Sequence, residues 1–124
     1  MKKKKSGFPK SERLKRSNEF KAVFEKCRKV EDSVLALYVQ LSEDAKLRKF
    51  GVSLGRAHGK AHLRNRLKRR LREIYRVERN RFRGGYQIIL LPRRGSVQRP
   101  FDELKKSFLT LSTKAGLLPR TMSE

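Results

Sequence analysis

The stretch from Leu63 to Arg76 restricts the fold of this chain more than any other. As a helix, it gathers its apolar side chains on one stripe and sets a ladder of cations, four residues apart, on another side. The stripe is Leu63, Leu67, Leu71, Ile74 and Tyr75, and the ladder is Arg64, Lys68, Arg72 and Arg76, with Asn65 and Arg69 beside it. Glu73 is the only anion among them. Such a face indicates a polyanionic partner, and the repeating phosphates of a nucleic acid fit it best.

The charge of the whole chain favours the same kind of partner. It carries 34 Lys and Arg residues against 12 Asp and Glu, a formal net charge of +22 in 124 residues. Solubility alone requires far less charge than this, so the excess indicates binding to nucleic acid. The length predicts one domain with a modest core.

Cysteine usage and hydropathy predict a cytoplasmic protein. Cys27 is the only cysteine, so no internal disulfide can form, which is typical of a reducing compartment. No apolar run approaches the ~20 residues that a membrane helix needs. No apolar segment follows the lysines of residues 2–5, so we expect no signal peptide.

The N-terminal part predicts a basic arm and a first helix. Residues 1–12 are rich in lysine and are expected to stay flexible until they meet phosphate. Ser17 is the predicted N-cap of the helix, with Glu19 in its first turn. An apolar stripe follows at helical spacing, formed by Phe20, Val23, Phe24 and Cys27. The two phenylalanines either pack in the core or stack on single-stranded bases, and Cys27 is expected to be a packed residue rather than a nucleophile.

Three segments have the pattern of strands. Residues 33–41 alternate between an apolar face and a mixed face centred on Tyr38, and residues 50–54 alternate in the same way. These two are expected to form an antiparallel hairpin, with further pairing inside the 42–49 loop. Residues 86–92 are almost continuously apolar, which predicts a buried central strand. It should run parallel to strand 50–54, because a helix separates the two in sequence.

The remaining segments complete a small sandwich of helices on a sheet. The link 55–60 has two glycines and basic residues before the cationic helix, which suits phosphate. His58 and His62 lack a third ligand, so no zinc site is expected. The cationic helix should run from Ala61 to Phe82. A last helix begins near Pro100 and ends at Gly116, with a buried stripe of Phe101, Leu104, Phe108, Leu111 and Ala115.

No catalytic constellation accompanies this binding surface. The sequence has no Ser-His-Asp order, no metal-ligand cluster and no carboxylate pair with a reason for shifted pKa values. The residues therefore indicate a nucleic-acid-binding module. A ribosomal or ribosome-assembly protein has similar charge and size. A DNA-binding protein is less well matched, because a uniform cationic ladder suits backbone contacts better than base readout.

The residues resemble the bacterial ribonuclease P protein subunit. Its Arg-Asn-Arg motif is matched by Arg64-Asn65-Arg66 on a helix that follows strand 50–54, and the similarity runs from Arg13 to Leu118. Leu37-Tyr38-Val39 is similar to the family's first strand, and segments 85–89 and 101–108 to its last strand and last helix. The chain departs from the family at Cys27, where glycine is usual, in the 55–61 link, and at Pro100, where a capping hydroxyl is common.

The resemblance implies an αβββαβα α+β sandwich, ribosomal protein S5 domain 2-like, with a left-handed βαβ crossover. It implies an arm at 1–12, a domain at 13–118 and a frayed tail at 119–124. The partners would be a catalytic RNA that uses Mg²⁺ and precursor tRNA, without membrane or protein partners. The residues expected on the RNA subunit are Arg56, Lys60, Arg64, Asn65, Arg66, Lys68, Arg69 and Arg72. Those expected in a cleft for the single-stranded 5′ leader are Phe20, Phe24, Tyr38, Arg13 and Lys15. The protein would raise substrate affinity and lower the demand for magnesium, and would not cleave alone.

Overall fold

A computed structural model describes residues 10–55 and 59–118. The helices and strands are α1 (Ser17–Glu25), β1 (Arg28–Glu31), β2 (Leu35–Leu41), β3 (Arg48–Val52), α2 (Ala61–Glu78), β4 (Tyr86–Pro92) and α3 (Phe101–Lys114). Short 3₁₀ turns lie at Lys10–Glu12, Arg79–Arg81 and Ser96–Gln98. This confirms the α+β class and the αβββαβα order. Among the described helices, none is long and apolar enough to cross a membrane.

The strands form a sheet in the order β1-β2-β4-β3. The predicted hairpin of segments 33–41 and 50–54 is wrong, because β4 lies between β2 and β3 and pairs with both. The hairpin that forms joins β1 to β2, so the additional strand precedes β2 and does not lie in the 42–49 loop. Consequently Leu37-Tyr38-Val39 belongs to the second strand, not the first. The central place of β4 follows from Ile88, Ile89 and Leu90, whose side chains are fully buried.

The parallel pairing of β3 and β4 is confirmed, and the crossover through α2 is left-handed. Phe50 of β3 packs in the same core as α2, while its carbonyl points away from β4 and accepts a hydrogen bond from the Leu14 N–H at 2.9 Å. Viewed from the α2 side with β3 running upward, the carbonyl of an L-residue whose side chain faces the viewer points right. The strand β4 therefore lies to the left of β3, whereas the common right-handed connection would place it on the right.

The two faces of the sheet carry separate apolar clusters. The larger one lies under α2 and α3 and includes the predicted stripe residues Leu67, Leu71, Ile74 and Tyr75 of α2 and Leu104, Phe108, Leu111 and Ala115 of α3. Leu63 is only half-buried, and Phe101 is exposed because it is the first residue of α3. The smaller cluster lies under α1, where Leu14, Val23 and Ile89 are buried. This division leaves one edge of α1 beside the edge strand β3.

The helix ends differ from the predictions by a few residues. Arg16 is the N-cap of α1 and Ser17 the first helical residue. The Glu19 carboxylate reaches back and accepts hydrogen bonds from the N–H groups of Lys15 (2.8 Å) and Arg16 (3.1 Å), and these bonds lower its pKa. Because α1 ends at Glu25, Cys27 follows the helix rather than closing its stripe. Helix α2 ends at Glu78 and continues as a 3₁₀ turn, not as α-helix to Phe82.

The boundaries of the fold extend slightly beyond the predicted N-terminus of the domain. Residues 10–12, predicted to belong to a flexible arm, form a 3₁₀ turn with Glu12 buried. At the other end, Gly116 has a φ of +85° after α3, which only glycine adopts readily, and Leu117 and Leu118 are buried. The rest of the predicted arm, Arg56, His58 and the predicted tail at 119–124 lie outside the described residues.

Candidate nucleic-acid interface

A groove of about 600 Å³ lies where α1, the end of β3 and α2 meet. We call it the aromatic groove. Its lining is Phe20 and Phe24 with Val52 and Leu54, the cations Lys15, Lys21 and Lys68, and Ser17, Glu25 and Ser53. Apolar and aromatic surface rimmed by cations is the combination that single-stranded nucleic acid requires, since bases stack on the rings and phosphates pair with the cations.

Gly51 determines where the ring of Phe20 lies. A Cβ atom at Gly51 would be 2.7 Å from Phe20 Cζ and 2.9 Å from Leu14 Cβ. The ring therefore rests directly on the backbone of β3, which only a glycine at this position permits. Sequence reasoning missed Gly51, although a glycine inside an alternating strand is a signal of close approach.

The structure brings most of the predicted cleft residues together, with Tyr38 behind them. Phe20 and Phe24 both line the aromatic groove, as does Lys15. Tyr38 packs edge-on against Phe24, with ring centroids 4.9 Å apart, and Lys29 Nζ lies 5.6 Å from the Tyr38 ring centroid. Tyr38 thus supports the ring of Phe24 from the sheet. Phe24 remains 37% exposed, so its ring is accessible from the groove.

Two further depressions continue the aromatic groove along α2. The first, of about 360 Å³, shares Lys15, Phe20 and Lys68 with the groove and adds Arg13 and Arg72. The second, of about 490 Å³, is lined by Arg13, Arg69, Arg72, Glu73 and Arg76, and we call it the arginine pocket. Because neighbouring depressions share lining residues, they form one continuous cationic surface.

Arg72 and Arg13 meet where the two depressions join. Burial lowers the pKa of Arg72, and the nearby positive charge of Arg13 lowers it further. Both causes penalise the charged guanidinium in the free protein. The attraction of an anion bound between them would offset both penalties, so this position suits a phosphate.

The predicted docking residues on α2 divide between two surfaces. Asn65 and Arg66 are exposed on the outward face, and Lys60 is exposed at the start of the helix. Arg69 is exposed beside them and also lines the arginine pocket. Arg64 is half-buried and donates from Nε to the Gly59 carbonyl at 3.1 Å. Lys68 and Arg72 instead face the depressions beside α1. The helix therefore presents cations both outward and towards the aromatic groove.

Sequence reasoning missed several other residues of this surface. Ser17 and Lys21 line the aromatic groove. Arg76, which the sequence places on the cationic ladder but not among the expected docking residues, lines the arginine pocket. Arg76 pairs with Glu73, donating from Nη2 at 2.6 Å and from Nε at 2.9 Å. Lys21 was the easiest of these to find, because it is the cation next to Phe20 on α1. Within the described segments, no group of three or more His, Cys, Asp or Glu side chains is arranged to hold a metal ion.

Comparison with known proteins decides between the classes that remained open. The profile of the family described as Ribonuclease P matches residues 8–116. The chain belongs to the ribonuclease P protein family. The resemblance carried by the Arg64-Asn65-Arg66 motif is thereby confirmed, and the ribosomal and DNA-binding alternatives are not favoured.

Curated ribonuclease P relatives match nearly the whole chain. The ribonuclease P protein component of Symbiobacterium thermophilum is 37% identical over 111 residues, covering 90% of this chain and 96% of the relative. That of Clostridium kluyveri is 31% identical over 107 residues, covering 85% and 95%. The family match over residues 8–116 spans both α1 and α2, so the aromatic groove and the cationic helix lie within the shared region.

Solved ribonuclease P proteins share the fold. The Staphylococcus aureus protein superposes with a TM-score of 0.78, covering 86% of this chain and 97% of that one, at 21% identity. The Thermotoga maritima protein superposes with a TM-score of 0.74, covering 83% and 96%, at 25% identity. The sheet with its three helices is therefore the fold of this family.

Proposed function

We propose that the chain acts in ribonuclease P as an RNA-binding subunit that holds the 5′ leader of precursor tRNA in the aromatic groove. Family membership makes it a protein component of this tRNA-processing endoribonuclease. The observation that carries the proposal is the continuity of the aromatic groove with the cations of α2. One surface can thereby contact single-stranded bases and backbone phosphates of folded RNA together.

The outward face of α2 is the proposed docking surface for the catalytic RNA. Arg66 and Arg69 are exposed and next to Asn65, which can donate and accept hydrogen bonds. Guanidinium groups pair well with phosphates, and each phosphate neutralised releases counterions. Lys60 and Arg64 extend this surface towards the start of the helix. Arg56 is included on the resemblance alone.

The aromatic groove is the proposed site for the leader. Phe20 and Phe24 offer their rings to unpaired bases, while Lys15, Lys21 and Lys68 lie along the rim for phosphates. Only precursor tRNA can make these contacts, because mature tRNA no longer carries the leader. The protein therefore adds affinity for substrate over product, which is a coupling between leader and protein rather than a chemical step.

Catalysis is assigned to the RNA subunit with Mg²⁺. Magnesium prefers hard oxygen ligands and bridges phosphates, and RNA provides these in quantity. The net charge of +22 supplies part of the counter-charge that RNA folding and substrate binding otherwise take from magnesium, so the complex should need less of it. We place the protein in the cytoplasm, which is supported by its single cysteine.

Reconstitution tests this proposal. The protein is mixed with a bacterial ribonuclease P RNA at low magnesium, and the cleavage of a precursor tRNA is followed, with RNA alone and protein alone as controls. We expect accurate 5′ cleavage only when both are present. Cleavage by the protein alone would overturn the assignment of catalysis to RNA. If the protein fails to restore cleavage at every salt concentration, ribosomal RNA becomes the better partner.

A further inference from the structure

Glu12 is buried in a polar cluster that ties the N-terminal segment to α2 and the turn after it. It is 9% exposed, and its Oε1 accepts hydrogen bonds from the Tyr75 hydroxyl and from Arg79 Nε, both at 3.0 Å. Its Oε2 pairs with Arg79 Nη2. The contact is therefore a two-pronged, charge-assisted one in a place that water hardly reaches.

The partners of Glu12 are themselves fixed. The Tyr75 hydroxyl lies 2.6 Å from the Tyr86 hydroxyl, and the Tyr75 ring stacks on Phe50 with centroids 4.3 Å apart. Burial is the main cause that raises the pKa of Tyr75, followed by the neighbouring Tyr86 and Glu12, so the phenol stays neutral and can donate. The carboxylate thus attaches to a rigid part of the core.

The residues on either side of Glu12 are held as well. Lys49 Nζ donates to the Ser11 carbonyl at 2.7 Å, and the Leu14 N–H donates to the Phe50 carbonyl at 2.9 Å. Arg13 pairs with Phe50 in a parallel β-bridge. We call residues 11–14 with these contacts the N-terminal clasp. The single bridge at Arg13 attaches the clasp to the outer edge of β3.

The clasp ends where the candidate interface begins. Arg13 lines the arginine pocket and its neighbour, and Lys15 lines the aromatic groove. If the segment were loose, both cations would have to be ordered each time RNA bound, and this conformational entropy would be lost from the affinity. A segment that is fixed beforehand avoids that loss.

We propose that Glu12 is a positioning residue for leader binding: it contacts no RNA, and through Arg79 and Tyr75 it holds Arg13 and Lys15 ready for phosphates. This rests on the proposed function of the aromatic groove. An anion in a protein of net charge +22 that binds a polyanion lowers attraction to RNA. Because Glu12 is buried and paired with Arg79, its negative charge acts on the clasp and is kept away from the RNA-binding surface.

The test measures the ratio of affinities for tRNA with and without a leader, in the reconstituted complex. We expect Glu12→Ala to lower this ratio about tenfold, because the ordering of the segment is then a cost of binding. Affinity for the RNA subunit alone should stay unchanged. Glu103→Ala is the matched control, since Glu103 also pairs with an arginine, Arg99 at 3.0 Å, but lies on α3. It should leave the ratio at the wild-type value.

Hydrogen exchange at the Leu14 amide reports on the clasp independently of RNA. We expect faster exchange at this amide in Glu12→Ala and a smaller increase in Glu12→Gln, which keeps an acceptor for Tyr75. The ratio of affinities for tRNA with and without a leader should therefore fall less in Glu12→Gln than in Glu12→Ala. If Glu12→Ala does not fold, Glu12→Gln and Arg79→Lys carry the test, the latter because lysine keeps the charge but not the two-pronged geometry.

The outcomes separate the two proposals. A wild-type ratio near one would overturn the function of the groove, and the role of Glu12 with it. A high wild-type ratio that Glu12→Ala leaves unchanged, although the Leu14 amide exchanges faster, would overturn the role of Glu12 alone. An equal loss of affinity for both tRNAs would reduce Glu12 to general stability and would also contradict the proposal.

Discussion

At the residue scale, the aromatic groove depends on residues behind its rings that contact no RNA in the proposed arrangement. Gly51 lets Phe20 rest on β3, and Tyr38 supports Phe24 from behind. The phenylalanines themselves were predictable, because their helical spacing and the family resemblance both pointed to α1. Gly51 inside an alternating strand is a signal of close approach, but it does not identify Phe20 as the neighbour. Glu12 leaves no signal, because its contacts join segments far apart in sequence.

A methyl group at residue 51 should disturb the groove. We expect Gly51→Ala to lower stability by about 1–3 kcal/mol, as overpacking does, and to weaken binding of leader-bearing tRNA. Thermal unfolding and the affinity ratio measure the two effects. Gly55→Ala is the control, since a Cβ there would meet no atom within 4 Å. If Gly51→Ala and Gly55→Ala changed stability and the affinity ratio equally, the position of the Phe20 ring would not depend on Gly51.

Two phenylalanines of the described segments allow a comparison at equal exposure. Phe24 in the groove and Phe101 at the start of α3 are each 37% exposed. We expect Phe24→Ala to reduce affinity for leader-bearing tRNA by about 1–3 kcal/mol, the usual worth of one base stacked on a ring. Phe101→Ala should have no such effect. Similar losses in both variants would argue against stacking in the groove.

At the element scale, α2 serves the core and RNA with different sides. Its long amphipathic pattern made it predictable almost to the residue at its start, and the apolar run of β4 made that strand predictable as well. The strand β1 was missed because it is four residues long, mostly charged and exposed at the sheet edge. The wrong hairpin arose because strands adjacent in sequence usually pair, and here β4 returns between them.

Salt dependence tests the outward face of α2. We expect Arg66→Ala to weaken binding to the RNA subunit and to reduce the slope of log affinity against log salt by about one, since one phosphate contact is lost. Lys106→Ala removes the same charge from an exposed position on α3. If both variants change the slope alike, net charge rather than the α2 face determines docking.

Asp32, in the turn between β1 and β2, accepts a hydrogen bond from Ser107 of α3 and makes stability dependent on pH. Burial opposes ionisation of Asp32, but hydrogen bonds from the Leu35 N–H, the Ser107 hydroxyl and the Val34 N–H outweigh it and lower its pKa. The carboxylate therefore stabilises the fold above its unfolded pKa, and this stability is lost as pH falls through the lower folded value.

Urea unfolding at several pH values measures that contribution. Between about pH 5 and about pH 2, we expect the wild type to lose more unfolding free energy than Asp32→Asn, whose amide does not titrate. At neutral pH the variant should be the less stable of the two. Parallel pH profiles would mean that other carboxylates account for the acid sensitivity.

At the scale of the whole molecule, the fold gathers positive charge on a surface that has few carboxylates to balance it. The arginine pocket brings four guanidinium side chains around one carboxylate. We expect sulfate to raise the melting temperature more than chloride at equal ionic strength, since an anion bound in the pocket stabilises the folded state beyond general screening. Arg72→Ala should remove most of the difference. Equal effects of the two salts on the wild type would show screening alone.

The most direct measurement compares equilibrium binding of tRNA with and without its 5′ leader, to the catalytic RNA alone and to its complex with this protein. We expect the protein to raise the affinity for leader-bearing tRNA and leave that for leaderless tRNA nearly unchanged, and we expect Phe20→Ala to abolish the difference. An equal gain for both substrates, or a leader preference that Phe20→Ala does not alter, would contradict the assignment of the aromatic groove to the leader.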